Sequence, residues 1–383
     1  MSNHQAIAEL MSRMVNLVDD MMGMQLQRSD QYTLDRVLNG AVHPIVLRID
    51  SILRTLHSEN LITGDYSEWR AYVENAVTLV KSKQILSNEY RRYYNTPVPF
   101  KLGYIEQRFN QFRERITTVQ TENATFCIVQ GVDALTLPIS RFTKDAIVQV
   151  ASQFNFLESK TPTHCNITEY IDDRTQGPRA SLGSLAALIV RDSYLSTIDK
   201  NAEFFRLVMA KKCYSGGYFM PYALSQHDQT IVYASLINHK NRLNILAQWG
   251  RSDLGSHPIL QIFTAAPSYQ DADPPETGST GEQICILLVK AQYRAVAQIA
   301  AMRSLVSGTR VSLHLTLVGQ GAFNNPPSVL ASALRAVYET VRYFEVDVYI
   351  HGYSNSDVEK IEHSLPTGVQ GFIRKMTKEY FFS

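Results

Sequence analysis

From residue 121 onward, short runs rich in Val and Ile alternate with longer amphipathic stretches, and few folds accommodate that rhythm. "ATFCIVQGVDAL", "DAIVQVASQFN", "TIVYASLI", "ILQIFTAA", "QICILLVKA", "VSLHLTLVG" and "FEVDVYIHG" read as strands. "SLGSLAALIVRDSYL", "RAVAQIAAMRSLVS" and "SVLASALRAVYETVRYF" read as helices. Strands that alternate with helices predict an α/β layered domain with a largely parallel sheet. The segment 266–283, "APSYQDADPPETGSTGEQ", is acidic and rich in Pro, Gly and Ser, and is expected to be a mobile surface loop.

Residues 1–120 carry a different texture. Leu38, Val42, Ile45, Val46, Ile49, Ile52 and Leu53 recur at roughly a helical period. "DYSEWRAYVENAVTLVKSKQIL" repeats the pattern behind a cap at Asp65 or Ser67, and "LGYIEQRFNQFRERITTVQ" places Phe109 and Phe112 on one side. "NTPVPFKLG" is a proline-marked break. An all-α N-terminal region, 1–120, followed by an α/β domain, 121–383, is therefore expected. Met11, Met14, Met21, Met22 and Met24 near the start suit either a partner-binding face or adaptable core packing.

Thirty-seven Lys and Arg balance 36 Asp and Glu, a formal charge of +1. No global field draws the chain to nucleic acid or to an anionic membrane. No apolar stretch of about 18 residues is apparent, and Glu9, Asp19 and Asp20 break any secretory leader. Cys127, Cys165, Cys213 and Cys285 are far apart with no CxxC pair, so neither a zinc site nor a disulfide framework is expected. A cytoplasmic monomer without a membrane or nucleic-acid partner is the expectation.

Two segments end a strand in a way that suits a ligand. In "SLHLTLVGQGAFNNPPSVL" the strand runs into Gly319, Gln320 and Gly321, then Phe323, Asn324, two prolines and a helix. Backbone N–H groups in such a turn, with the helix N-terminus behind them, form an anion-binding concavity. Asn324 stands where a GxGxxG loop has its third glycine, and no Gly-Lys-Ser/Thr is present, which disfavours a dinucleotide oxidoreductase and an NTPase. The second segment leaves a strand at Val150 and meets Gln153, Asn155 and Glu158, then Asp172, Asp173, Thr175, Gln176, Gly177 and Pro178 before a helix. Amides donate and accept to sugar hydroxyls, and a carboxylate can act as a general base on water. The same residues also suit plainer roles: Asp172 and Asp173 as solvated caps, Gln153 and Asn155 as partners of the loop backbone.

On "VQGVDAL" with "DAIVQVASQFNFLE", on "DRTQGP" and on "LTLVGQGAFNNPP", residues from about 122 onward resemble a macrodomain, the ADP-ribose-binding fold. "VASQFNFLE" and "DRTQGP" are most similar to a divergent branch of MavL-like bacterial effector ADP-ribosylhydrolases, which remove ADP-ribose from arginine, notably on ubiquitin. The resemblance implies a three-layer α/β/α fold with a mixed, largely parallel sheet. It implies a diphosphate held by Gly177 and its neighbours and by Gly319, Gly321, Ala322 and Phe323, with Phe323 walling the distal ribose. Gln153, Asn155 and Glu158 would line that ribose, and Asp133, offset by Val132, would meet the adenine. Two departures stand out: Arg179 where a small residue follows Gly-Pro, and Arg191-Asp192-Ser193 in place of Arg-Asn-Tyr. Arg179 would contact a phosphate or reshape the pocket mouth.

Asp173 and Glu158, with Asp172 as alternate, are thus the expected reactive carboxylates for cleaving an N-glycosidic bond, with no metal or cofactor beyond ADP-ribose itself. The expected partner is an ADP-ribosylated protein, ubiquitin among the possibilities. A non-catalytic ADP-ribose reader and an interaction protein working through its N-terminal helices are the competing expectations.

Overall fold

The computed structural model describes residues 34–40, 42, 46–47, 49–51, 53–54, 66–82, 98–114, 122–139, 146–159, 166–195, 199–251, 258–370 and 373–382. The methionines near the start, Ile45, Ile52 and Cys165 lie outside them. In chain order the elements are α1 (Tyr66–Ser82), β1 (Val98–Lys101), α2 (Leu102–Glu114), β2 (Thr125–Gln130), β3 (Ile147–Ser152), α3 (Gln176–Leu182), α4 (Leu185–Leu195) and α5 (Ala202–Leu207). A hairpin of β4 (Tyr214–Ser215) and β5 (Tyr218–Phe219) leads to α6 (Gln226–His239), β6 (Asn244–Arg251), β7 (Pro258–Ala265) and α7 (Thr280–Ser307). β8 (Val311–Leu315), α8 (Pro327–Val341), β9 (Val346–Gly352), α9 (Asn355–Ser364), α10 (Thr367–Gln370), β10 (Arg374–Met376) and α11 (Lys378–Phe382) complete the described chain.

The main sheet has the order β1-β6-β7-β3-β8-β9-β2-β10. β1 and β7 pair antiparallel with β6, and every other neighbouring pair is parallel, so β6 alone runs against the rest. Successive side chains of a strand face opposite sides, and this sheet separates two cores. Val311, Leu313 and Leu315 of β8 and Val346, Val348 and Ile350 of β9 join α7 and α8 on one face. Val148, Val150, Leu246, Phe263 and Tyr349 face the other side, with Ala180 of α3 and Phe381 of α11. The result is a three-layer α/β fold with a mixed, largely parallel sheet.

The sequence reading needs correction at several elements. "TIVYASLI" and "QICILLVKA" are not strands; they lie inside α6 and α7. A short apolar run alone does not separate a strand from a buried helix. The caps decide here: the Ser225 hydroxyl accepts from Asp228 N–H at 3.1 Å and the Ser279 hydroxyl from Glu282 N–H at 3.2 Å. α7 closes on Gly308 at φ 62. Its length and apolar composition would suffice to cross a membrane, although most of it is buried inside the fold, and the reading that found no such stretch is revised.

Residues 1–120 are not all helical either. "VPFK" forms β1 at the sheet edge and α2 packs on the core beside it, so 98–114 belong to the α/β unit. The segment 266–283 is not a loop throughout: Ala266, Ser268 and Tyr269 are buried, and Thr280–Gln283 are the first turn of α7.

Candidate active site

β3 and β8 lie side by side and parallel, so the loops that leave their C-terminal ends share one edge of the sheet. That edge is where open α/β sheets take ligands. β2 and β9 end beside them, where Gly131 N–H donates to Gly352 C=O at 3.0 Å. The two segments singled out in the sequence are therefore brought together.

The first loop is closed by its own side chains. The Gln153 carboxamide donates to Ser159 C=O and accepts from Ser159 N–H, both at 2.9 Å. Asn155 accepts from Leu157 N–H at 3.1 Å and donates to Gly216 C=O at 3.1 Å. Both amides serve loop backbone; Gln153 is buried and Asn155 is half-buried.

Glu158 is also turned inward. It is 2% exposed, and Arg191, 0% exposed, donates to it at 3.0 Å. Ser181 Oγ–H donates to the same carboxylate at 2.9 Å, and the Arg191 guanidinium stacks on the Phe263 ring at 3.8 Å. Burial pushes the Glu158 carboxyl above its ordinary range, while Arg191 and the Ser181 hydroxyl pull it back. A carboxylate in this position anchors α3 and α4 under the loop.

The 3₁₀ turn Ile167–Asp172 begins with an Asn166 capping box and presents the two aspartates at its end. Asp172 is exposed and paired with Arg70 of α1 in a surface ion pair. Asp173 Oδ1 accepts from Thr175 N–H at 2.9 Å and from Thr175 Oγ1–H at 2.7 Å. Among the described residues Asp173 Oδ2 has no protein partner. Asp133 is held in a two-pronged ion pair by Arg179, with Nη2–Oδ2 at 2.5 Å and Nε–Oδ1 at 3.2 Å. Leu135 N–H adds a third donor at 2.9 Å. Arg179, expected at a phosphate or at the pocket mouth, is engaged here with a carboxylate.

Gly177 and Pro178 are buried in the first turn of α3. A Cβ at Gly177 would stand 2.0 Å from Ala151 O, so glycine here answers to the close approach of α3 to β3. Gln176 reaches across to the other loop. Its Oε1 accepts from Leu317 N–H at 2.9 Å, and its Nε2 donates to His351 C=O at 3.4 Å.

The second loop is built from backbone. Gly319 has φ +83, and a Cβ there would come within 2.7 Å of Ala266 Cβ. Gly319 C=O accepts from Asn325 N–H at 2.9 Å, and Gly321 C=O accepts from Asn324 N–H at 2.9 Å. Asn324 itself adopts φ 51. Among the described residues the N–H groups of Gly321, Ala322 and Phe323 donate to no protein acceptor, and Gly321 and Ala322 are exposed. Gln320 is half-buried and reaches Pro326 C=O at 3.4 Å. Phe323 is half-buried against Tyr218, ring centroids 5.3 Å apart. Three adjacent open amides form the arrangement that receives an anion.

Sequence reasoning missed three features here. The β4–β5 hairpin sits against both loops: Phe154 N–H donates to Gly217 C=O at 2.9 Å, and Ser268 N–H to Phe219 C=O at 2.7 Å. Its signal, "YSGGYF", is a two-glycine turn between aromatic residues. Tyr353 follows β9 with its ring 66% exposed at the same edge of the sheet. Beneath that edge, buried His314 and His351 share a hydrogen bond at 2.9 Å. Burial, with the neighbouring His314, holds His351 well below its ordinary range. Among the described residues no three His, Cys, Asp or Glu side chains are grouped to hold a metal.

No protein-family model and no curated protein matches the chain. Among solved structures it is similar to poly(ADP-ribose) glycohydrolase from Deinococcus radiodurans in complex with ADP-ribose, at 14% identity over 72% of this chain and 96% of that one, with a TM-score of 0.42. The apo form of that protein is 15% identical over 70% of this chain and 92% of that one, with a TM-score of 0.40. Alphavirus P23pro-zbd is 12% identical over 72% of this chain and 28% of that one, with a TM-score of 0.29. Likenesses this distant carry no argument about chemistry.

Proposed function

We propose that this chain is an ADP-ribosylhydrolase of the macrodomain type, which holds ADP-ribose between its two loops and cleaves the glycosidic bond that joins it to a protein side chain. One observation carries the reading. Two loops more than 100 residues apart in sequence meet at one sheet edge; among the described residues one presents open amides, the other a carboxylate that no arginine neutralises. The amides of Gly321, Ala322 and Phe323 take the diphosphate, aided by the first turn of α3. Phe323, backed by the buried Tyr218 ring, offers an apolar wall to the distal ribose.

Asp173 is the reactive carboxylate in this reading. Asp133, Glu158 and Asp172 are each committed to an arginine. Asp173 Oδ2 takes a proton from water as the water oxygen bonds to C1″. The bond from C1″ to the side-chain nitrogen or oxygen breaks, and that proton passes to the leaving group. A carboxylate beside C1″ also stabilises the developing oxocarbenium charge. Diphosphate binding holds the ribose in place for the step. Arginine is the linkage proposed first and modified ubiquitin the first substrate, both from the motifs "VASQFNFLE" and "DRTQGP".

The test is release of ADP-ribose from arginine-, glutamate- and serine-linked proteins, ubiquitin included. Asp173→Asn is expected to lower turnover roughly 100-fold or more, while calorimetry shows ADP-ribose still binding. Wild-type turnover in Asp173→Asn would sink the assignment. A second reading, a reader that binds and does not cut, is favoured by the commitment of Glu158 to Arg191, which leaves a single carboxylate for the chemistry. Binding without product release on any linkage would select it.

A further inference from the structure

We propose that Gln176 is a positioning residue that couples the two loops into one anion cradle. This rests on the ADP-ribose reading for its ligand, but not for its geometry. Gln176 is the first residue of α3, directly behind the Thr175 cap that steadies Asp173. A residue at that position ordinarily points its side chain to solvent or caps its own helix. Here the carboxamide leaves its helix and spans to the ends of two other strands, accepting from Leu317 N–H at 2.9 Å and donating to His351 C=O at 3.4 Å. A carboxamide can do both at once; a carboxylate only accepts, and a thioether does neither usefully.

The link sits at the root of the second loop. Leu317 N–H is held by Gln176, and Leu317 C=O accepts from Gln320 N–H at 3.1 Å. Gln320 directly precedes the open amides of Gly321, Ala322 and Phe323. The next peptide is pinned as well: Val318 N–H donates to the Tyr293 hydroxyl at 3.1 Å, and that hydroxyl donates to Thr316 C=O at 2.5 Å. The orientation of the open amides therefore passes through Leu317 to Gln176, and from Gln176 to the turn that carries Asp173. A ligand whose diphosphate rests on one loop and whose ribose faces the other needs both at a fixed separation. Gln176 sets that separation without touching the ligand.

Gln176→Met keeps the side-chain length and removes both hydrogen bonds. It should speed hydrogen exchange at Leu317 and through Gly321–Phe323, and weaken ADP-ribose binding roughly tenfold. With turnover established, KM should rise while kcat stays near wild type, and the melting temperature should move little. A merely structural glutamine would lower the melting temperature and leave affinity and KM unchanged well below it. Gln176→Glu, which retains the acceptor, should keep Leu317 protected, and it serves where Gln176→Met does not fold. Unchanged exchange at Leu317 in Gln176→Met, or lost protection in Gln176→Glu, overturns the proposal. Should wild-type protein bind no ADP-ribose, the ligand reading fails by itself. The exchange comparison, made on protein without ligand, still decides whether Gln176 couples the loops.

Discussion

The two loops at the sheet edge differ less in how they are held than in what they leave open. In the described residues of the first, 153–159 and 166–177, amides close on loop backbone, Phe156 takes φ 67, a fully buried Glu158–Arg191 pair lies beneath, and Asp172 is bridged outward to Arg70. The second, from Thr316 to Pro326, combines backbone hydrogen bonds and positive φ at Gly319 and Asn324 with side-chain anchors from Gln176, Tyr293 and Asn325, and leaves three adjacent amides open among the described residues. Polar side chains in a ligand-facing loop can be fully occupied with keeping the loop in shape. Among the described residues, the adjacent N–H groups of Gly321, Ala322 and Phe323 are instead left open to water or to an anion.

The comparison can be broken most severely from below the first loop. Arg191→Ala strands the Glu158 carboxylate in the interior and should cost about 3–5 kcal/mol of stability in urea unfolding. If the contrast holds, exchange should rise first across 153–177, with the second loop following only through Gln176. The second loop should respond to backbone changes instead. Gly319→Ala meets both a left-handed φ and the Ala266 side chain, and should cost about 1–3 kcal/mol with a matching loss of ADP-ribose affinity. Gly321→Ala finds nothing within 4 Å of its new Cβ and should stay within about 0.5 kcal/mol of wild type. Equal effects at the two glycines would contradict the geometry.

Acid should act beneath the shared edge. His351 is held neutral in the folded protein because burial and His314 keep it well below its ordinary range. The unfolded chain protonates that imidazole near its ordinary value of 6.5. Stability from this group is thus fully present above about pH 6.5 and declines below it, by up to about 1.4 kcal/mol per pH unit. Thermal melts between pH 8 and pH 5 should show the slope, and His351→Gln should flatten it. The smallest effect belongs to the outer bridge: Arg70→Ala should cost less than about 1 kcal/mol, since an exposed ion pair contributes little.

Much of the architecture was legible where local pattern and burial agree. β2, β3, β8 and β9 fall inside the predicted strand runs and β7 does so but for its first residue, Pro258, because each alternates or runs apolar between turn residues. α6 and the first half of α7 were mistaken for strands because a short apolar run reads the same in either element, although the Ser279–Glu282 cap was present as Ser-x-x-Glu; the second half of α7 falls in a predicted helix. β1 and β6 were missed. β1 has four residues beside a proline-marked break, and β6 carries Gln248 and Gly250, which blunt its apolar pattern.

At the site the sequence singled out two segments that the fold brings to one sheet edge, without showing which of their side chains would be engaged by neighbours. Residue type and spacing determined that one loop would be rich in glycine after a strand and that the other would carry amides and carboxylates before a helix. Which carboxylate keeps an open oxygen, which glutamine spans the loops and which arginine neutralises what were settled by the tertiary structure alone. Arg70, Arg179 and Arg191 lie 102, 46 and 33 residues from the carboxylates they hold. Pairing at that range depends on how α1, α3 and α4 pack, and packing of the whole fold is not written in any local stretch of the chain.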